Sequence, residues 1–171
     1  MFDLHNSYTI EYRGVSTYQE GYPCERHTYA FVNRDGHTYI VWADEFDDCH
    51  LYGIKYFRSD YYDKIDQFSV ILNTNDYGRV VATVLKIMVE IYQKQPLSSF
   101  IFQGANSDDE SETVTQRYRV WSLVTKSKFP PTVFDYLSYD KKSVFLLRNK
   151  SCTLPMISNI DDILKHHGVV F

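Results

Sequence analysis

The chain has 171 residues, with 44% hydrophobic and 23% charged residues and a formal net charge of -4. This composition excludes a wholly disordered chain, and the length is typical of one domain that buries about 70% of its unfolded surface. We therefore expect a single domain over residues 1–171. The negative charge argues against non-specific nucleic-acid binding, which depends on Lys and Arg displacing counterions from phosphates.

The cysteine pattern and the hydropathy of the chain indicate its setting. Cys24, Cys49 and Cys152 are odd in number and form no Cys-x-x-Cys pair, so neither a full disulfide framework nor a zinc knuckle is indicated. The start has no basic segment followed by an apolar run, and no stretch of about 18 apolar residues occurs. We expect a cytoplasmic protein with no membrane partner and no cofactor.

The N-terminal third alternates between apolar and polar residues, which is typical of half-buried strands. We predict strands over 8–12, 28–32, 38–42 and 51–57, forming an antiparallel meander. Asp35-Gly36 lies between the second and third of these and is a strong hairpin signal, because both residues tolerate positive φ. The stretch 18–26 is predicted to be turn-rich, and Gly53 to mark a β-bulge.

The central part of the chain predicts a long amphipathic helix at about 76–95. Its apolar residues recur at spacings of three, four and seven, which is the period of a helix with one buried stripe. Short polar residues at 74–76 are suited to cap its start, and Pro96 cannot continue it. Apolar runs at 68–72 and 100–102 flank this helix, and together they predict a strand, helix, strand unit.

The C-terminal part predicts a second helix at about 110–127, after an acidic loop at 104–112. Its stripe is Val114, Tyr118, Trp121 and Thr125, although the alternation around Tyr118 also fits a strand. A hairpin follows at 133–137 and 143–147, and then a short helix at 158–165. The predicted fold is therefore α+β, with the N-terminal meander continuing into a sheet packed by these two main helices.

A set of spaced residues between Tyr39 and Trp121 carries a family resemblance. The pattern is Asn-x-x-Asp, then Val and Thr-Val on a helix, then Pro, an apolar strand ending in Gly, and Thr-x-Arg-Tyr-Arg. It resembles uncharacterised small proteins of Bacteroidota and associated mobile elements. The resemblance implies a fold more than a reaction, and a setting in bacteria or phages, in host and phage conflict. The matching residues are Asn73 or Asn75, Asp76, Val80 or Val81, Thr83, Val84, Pro96, Gly104, Thr115, Arg117, Tyr118 and Arg119.

Arg117, Tyr118 and Arg119 are the first candidates for a binding site. Guanidinium groups beside an aromatic ring can hold a phosphate, a carboxylate or a base by forked hydrogen bonds and stacking. The alternative is structural, because on a helix Arg117 would lie beside the buried stripe and pair with an acidic neighbour. Arg119 would then project to the opposite side.

Asp44, Asp47 and Asp48, with His50 nearby, are candidates for a metal site. Their oxygen atoms are the ligands that Mg²⁺ or Mn²⁺ uses in nucleases. The run lacks the spacing of an EF-hand loop, and an ordinary acidic turn after a strand is the favoured interpretation. No residue pattern identifies a catalytic nucleophile or base.

The 15 tyrosines are the strongest remaining signal of function. Exposed tyrosine offers a large contact area with a polar tip, and it is enriched at protein interfaces. The sequence therefore predicts a non-enzymatic protein-interaction module, with a protein partner and a homodimer as its assemblies. The alternative is a domain that binds or hydrolyses a nucleotide or a short nucleic acid through Arg117 and Arg119. The tyrosines in strand and loop contexts are Tyr18, Tyr22, Tyr52, Tyr56, Tyr61, Tyr62, Tyr136 and Tyr139.

Overall fold

The computed structural model of the protein describes residues 3–18, 24–46, 50–64, 67, 76–103, 116–139 and 144–152. These residues form seven strands and two α-helices, together with short 3₁₀ turns at Leu4–Asn6 and Ser59–Tyr61. None of the described helices is both long enough and apolar enough to span a membrane. The strands are β1 (Glu11–Tyr18), β2 (Cys24–Val32), β3 (Thr38–Phe46), β4 (Leu51–Arg58), β5 (Ser99–Gln103), β6 (Phe134–Tyr139) and β7 (Val144–Asn149), and the helices are α1 (Tyr77–Lys94) and α2 (Gln116–Lys128).

All seven strands belong to one sheet in the order β1-β2-β3-β4-β5-β7-β6. The strands β1 to β4 form an antiparallel meander, as predicted, and β5, β7 and β6 are also antiparallel. β4 and β5 pair in parallel, and α1 lies between them in the chain. A parallel pair needs a crossover connection, and a helix is its usual form. The predicted α+β class is confirmed.

The turn between β2 and β3 sets the register of the meander. Asn33 Oδ1 accepts hydrogen bonds from the backbone nitrogens of Asp35 and His37, at 3.1 and 2.8 Å. Gly36 has a φ of 83°, which glycine adopts at no steric cost. The predicted hairpin is therefore confirmed, and its regular pairing continues to the pair Cys24 with Phe46 at the far end.

The helix α1 packs its apolar stripe on one face of the sheet, which we call the helix face. Val81, Val84, Leu85, Ile87 and Met88 are completely buried in this layer. Because side chains alternate along a strand, the helix face of the sheet carries every second residue. The core on this face includes Tyr29, Phe31, Tyr39, Val41, Tyr52, Ile54, Phe100, Phe102, Phe145 and Leu147.

The second helix and the last hairpin complete this core. Trp121 of α2 packs against Tyr56 and Phe102, with ring centroids 5.8 and 5.6 Å apart. Phe129, just after α2, contacts Phe100 and Phe134 at 5.4 and 5.2 Å. The opposite side of the sheet, which we call the far face, is also apolar at its centre. Its fully buried side chains include Leu51, Ile101, Val144 and Leu146.

Several predicted boundaries differ from the structure. The first strand is Glu11–Tyr18 and not 8–12, and Cys24–Arg26 belongs to β2 although 18–26 was predicted as turns. The pairing through Gly53 is regular, and the bulge lies instead between Tyr12 and Gly14, whose φ is 102°. The described part of the second helix runs from Gln116 to Lys128. The strand predicted at 68–72 and the helix predicted at 158–165 lie outside the described residues.

The buried tyrosines of the helix face predict a loss of stability in alkali. Burial raises the pKa of both Tyr29 and Tyr39 to about 12, from an ordinary value of about 10. Their neutral form stabilises the fold fully below pH ~10, and this contribution disappears as the pH rises towards ~12. We therefore expect the free energy of unfolding in urea to fall across this interval.

Tyrosinate absorbance of the native protein should show a fraction that ionises late, whereas the urea-unfolded chain should titrate in one step near pH ~10. Tyr39→Phe should reduce the late fraction. Superimposable titrations of the native and unfolded protein would contradict this assignment.

Candidate functional site

The edge strand β1 is the most exposed regular element among the described residues. Seven of its eight residues are exposed and the eighth, Gly14, is intermediate. It pairs with β2 on one side, and no described strand covers its outer side. An edge of this kind presents backbone N–H and C=O groups that can pair with another strand. The edge is therefore the first candidate for an interaction surface.

Large apolar side chains are exposed on both faces of the sheet at this edge. Tyr12 and Val15 pair with Tyr29 and His27, so they lie on the helix face, where they are 53% and 55% exposed. Tyr18 pairs with Cys24 on the far face and is 37% exposed. The large exposed side chains of this edge are therefore Tyr12, Val15 and Tyr18.

A buried ion pair on the far face fixes the end of β1. Arg26 and Asp44 are opposite each other on β2 and β3, and both are less than 10% exposed. Arg26 donates from Nε and Nη2 to the two oxygens of Asp44, at 2.7 and 2.9 Å. The Arg26 guanidinium also stacks between the rings of Tyr18 and Trp42, at 4.0 and 3.8 Å from their centroids. Tyr18 is therefore held in place although its outer side is open to solvent.

Lys55 adds a second cation to this far-face group. Its ammonium lies 4.0 Å from Asp44 Oδ2. Burial lowers the pKa of Lys55, against the opposing effect of the Asp44 carboxylate. Asp44 is thus an anion shared by two largely buried cations, and its removal would leave both of them facing each other.

A chain of hydrogen bonds joins the strands β1 to β4 on the helix face. The Tyr12 hydroxyl is 3.0 Å from His27 Nδ1, and His27 Nε2 is 3.2 Å from Glu45 Oε2. His50 Nδ1 is 3.3 Å from the other oxygen of Glu45. The hydrogen bond from His27 holds the pKa of Glu45 below its ordinary value, in opposition to burial, with His50 and Tyr52 contributing further hydrogen bonds. Burial and the charge of Glu45 together raise the pKa of Tyr52.

Within the described residues, the structure does not bring together the binding-site and metal-site candidates predicted from the sequence. Arg117, Tyr118 and Arg119 fall in the first turn of α2, where only the Arg119 side chain is described, and it is exposed. A ligand grip formed by these three residues stays a prediction. Asp44 is engaged by Arg26 and Lys55, and Asp47 and Asp48 lie outside the described residues. The metal site predicted from these three aspartates likewise stays a prediction.

The tyrosines divide between the core and the surface. Tyr18 and Tyr62 are exposed, Tyr52 and Tyr56 are buried, and Tyr61 and Tyr136 are intermediate. Tyr22 and the side chain of Tyr139 lie outside the described part of the structure. Tyr12, which the sequence places at the end of the strand predicted over 8–12, is also exposed. Only some of the tyrosines are therefore available to a partner.

The groups on β2 and β3 are missed in the sequence because the predicted strands begin β2 too late, at residue 28, and end β3 too early, at residue 42. Counting outward from the Asn33–Gly36 turn places Arg26 opposite Asp44 and Glu25 opposite Glu45. That register could have predicted both pairs from the sequence.

A comparison of the chain with protein-family models, curated proteins and solved structures finds no match.

The buried ion pair predicts a large effect of Asp44→Ala on stability. Removing one partner of a buried pair leaves an uncompensated charge, which costs about 3–5 kcal/mol. Urea unfolding should give a loss of this size for Asp44→Ala.

Asp60→Ala is the matched control, because Arg58 also donates two hydrogen bonds to Asp60, both at 2.6 Å, but this carboxylate is 53% exposed. It should cost about 1 kcal/mol or less. Equal losses in the two variants would show that burial does not set the strength of the Arg26–Asp44 pair.

Proposed function

We propose that the protein is a non-enzymatic interaction module that self-associates by pairing β1 with β1 of a second copy. The observation that supports this is the eight-residue edge strand with no buried side chain. Pairing two such edges satisfies backbone groups that otherwise contact water and extends the sheet across both copies. Homodimers with a twofold axis use the same surface on both subunits, and an antiparallel edge pair has that symmetry.

The exposed side chains at the edge give this pairing a hydrophobic contribution. Tyr12 and Val15 project on the helix face, while Tyr18 projects on the far face. Cross-strand contacts between such side chains each contribute about 0.2–1 kcal/mol. Because they lie on both faces, the contacts would form above and below the joined sheet.

The charges of β1 favour the antiparallel orientation. Glu11 and Arg13 lie near its start, 3.3 Å apart, and 14–18 carries no charge. Parallel pairing in register would place Glu11 beside Glu11 and Arg13 beside Arg13. Antiparallel pairing about Gly14 and Val15 separates the two Glu11 residues by about seven positions, or ~24 Å. Like charges then lie at opposite ends of the joint.

The bulge at Gly14 limits where the pairing can be regular. A bulge twists an edge strand locally, and many proteins use bulges to discourage unwanted pairing. From Gly14 to Tyr18 the register with β2 is unbroken. This second half of β1 therefore provides the regular part of the joint, and the pairing axis at Gly14 and Val15 lies at its start.

The cellular setting belongs to the same proposal and has a different basis. A setting in bacteria or phages, within host and phage conflict, rests on the family resemblance of the segment between Tyr39 and Trp121. A cytoplasmic location rests on the cysteine pattern and the hydropathy of the chain. The edge strand bears on how the protein associates, and the resemblance bears on where it acts.

The test is Val15→Lys, which places a charge at the centre of the proposed joint. The wild-type protein should be a dimer by light scattering after size exclusion, and the variant should be a monomer at the same concentration. A charged residue on an edge strand opposes edge-to-edge pairing.

Leu123→Lys is the control, because Leu123 is an exposed apolar residue on α2 with 72% of its surface accessible. It should leave the dimer intact. A wild-type protein that remains monomeric at high concentration would overturn the proposal, as would a dimer that survives Val15→Lys but dissociates with Leu123→Lys.

A further inference from the structure

A group of carboxylate and imidazole side chains lies one strand in from the edge, on the helix face. Glu25 and Glu45 are directly opposite each other on β2 and β3, and His27 follows Glu25 on the same face. One ligand atom from each of these three side chains lies within 4.8 Å of the other two. Glu25 is exposed, whereas His27 and Glu45 are half-buried. The group can therefore be reached from solvent while two of its members are held by the sheet.

The spacing of one donor pair, His27 and Glu45, fits a tetrahedral metal ion. Two ligands bonded to Zn²⁺ at about 2.1 Å in this geometry lie about 3.4 Å apart. His27 Nε2 is 3.2 Å from Glu45 Oε2. An ion could thus replace the direct hydrogen bond between them with little movement of either side chain.

The neighbouring side chains orient the donor atoms, as the hydrogen-bond partners of ligands do in metal sites. The Tyr12 hydroxyl lies 3.0 Å from His27 Nδ1, and the other ring nitrogen, Nε2, faces the Glu45 carboxylate. His50 lies 3.3 Å from the Glu45 oxygen that His27 does not contact. Hydrogen bonds to the remote nitrogen of a ligating His and to a ligating carboxylate fix the ring tautomer and the donor direction.

The donor set selects a class of ion. Imidazole together with carboxylate suits Zn²⁺ and its neighbours among the transition metals, whereas Mg²⁺ prefers an all-oxygen octahedral shell. Three protein ligands also leave a fourth tetrahedral position for water or another ligand.

We infer that Glu25, His27 and Glu45 form a binding site for a divalent transition-metal ion, of which Zn²⁺ fits best. The site is distinct from the predicted aspartate site, since Asp44 lies on the far face and is engaged by Arg26. It is also independent of the proposed dimer, because all three ligands come from one copy of the chain.

The first experiment titrates Zn²⁺ into the full chain after treatment with a chelator, and follows binding by calorimetry and by the melting temperature. Zn²⁺ should bind and raise the melting temperature, and Mg²⁺ at the same concentration should not. Co²⁺ in place of Zn²⁺ should give the intense visible bands of a four-coordinate ion.

Glu25→Gln is the decisive variant, because Glu25 is exposed and the change keeps its shape. Its melting temperature in chelator should equal that of the wild type, while its affinity for Zn²⁺ should fall at least tenfold. His27→Ala should lose binding as well, and circular dichroism would show whether it folds. His5→Ala, which removes an exposed imidazole from the Leu4–Asn6 turn, is the control and should bind as the wild type does.

The inference is overturned if Zn²⁺ does not bind, or if Glu25→Gln binds it with unchanged affinity. Equal weakening by His5→Ala and Glu25→Gln would also overturn it, because the ion would then be held by scattered surface groups. In those cases the side chains form a hydrogen-bond network only. The oligomeric state of the same samples tests the proposed function separately.

Discussion

The packing of α1 on the helix face is the interaction on which the rest of the structure depends. Only three residue pairs form the parallel ladder between β4 and β5, from Leu51 with Ser99 to Gly53 with Ile101. This short ladder joins the meander to the C-terminal strands, and a parallel pair has no tight turn to hold it. The buried stripe of α1 belongs to one core cluster with residues from both halves of the sheet, and this shared core links them. The helix face also carries the core formed by Trp121, Phe129 and the last hairpin.

The extent of this helix layer explains where exposed groups occur. The core on the helix face includes Tyr29 and Phe31 of β2 but no residue of β1. Tyr12 and Val15 therefore remain exposed, and the polar group of Glu25, His27 and Glu45 occupies the end of the same face. On the far face the corresponding end is closed by Arg26, Asp44 and the stacked rings of Tyr18 and Trp42. Among the described residues, the sheet thus ends at β1 in an exposed edge.

Local signals in the sequence are sufficient for most of the elements. The 3.6-residue period and Pro96 predict α1 to within one residue of its observed ends, and Asp35-Gly36 predicts the β2–β3 hairpin. The pairing of β5 with β7 links residues far apart in the chain, so no local pattern contains it.

The predicted strand boundaries are wrong where polar residues are paired inside the sheet. Arg26 and Asp44 look like turn residues in sequence, but each neutralises the other when buried. The group around His27 was missed for the same reason, since it forms only when β2 and β3 run to their full length.

Amide hydrogen exchange of residues 11–18 at two protein concentrations tests the central claim most directly. About half of the backbone amides of β1 point away from β2, and in a monomer these amides are exposed to water. If β1 pairs with β1 of a second copy, these amides exchange slowly at high concentration and quickly after dilution, while those of α1 do not change. Exchange across β1 that is equally fast at both concentrations would contradict it, because the edge would then have no strand paired with it.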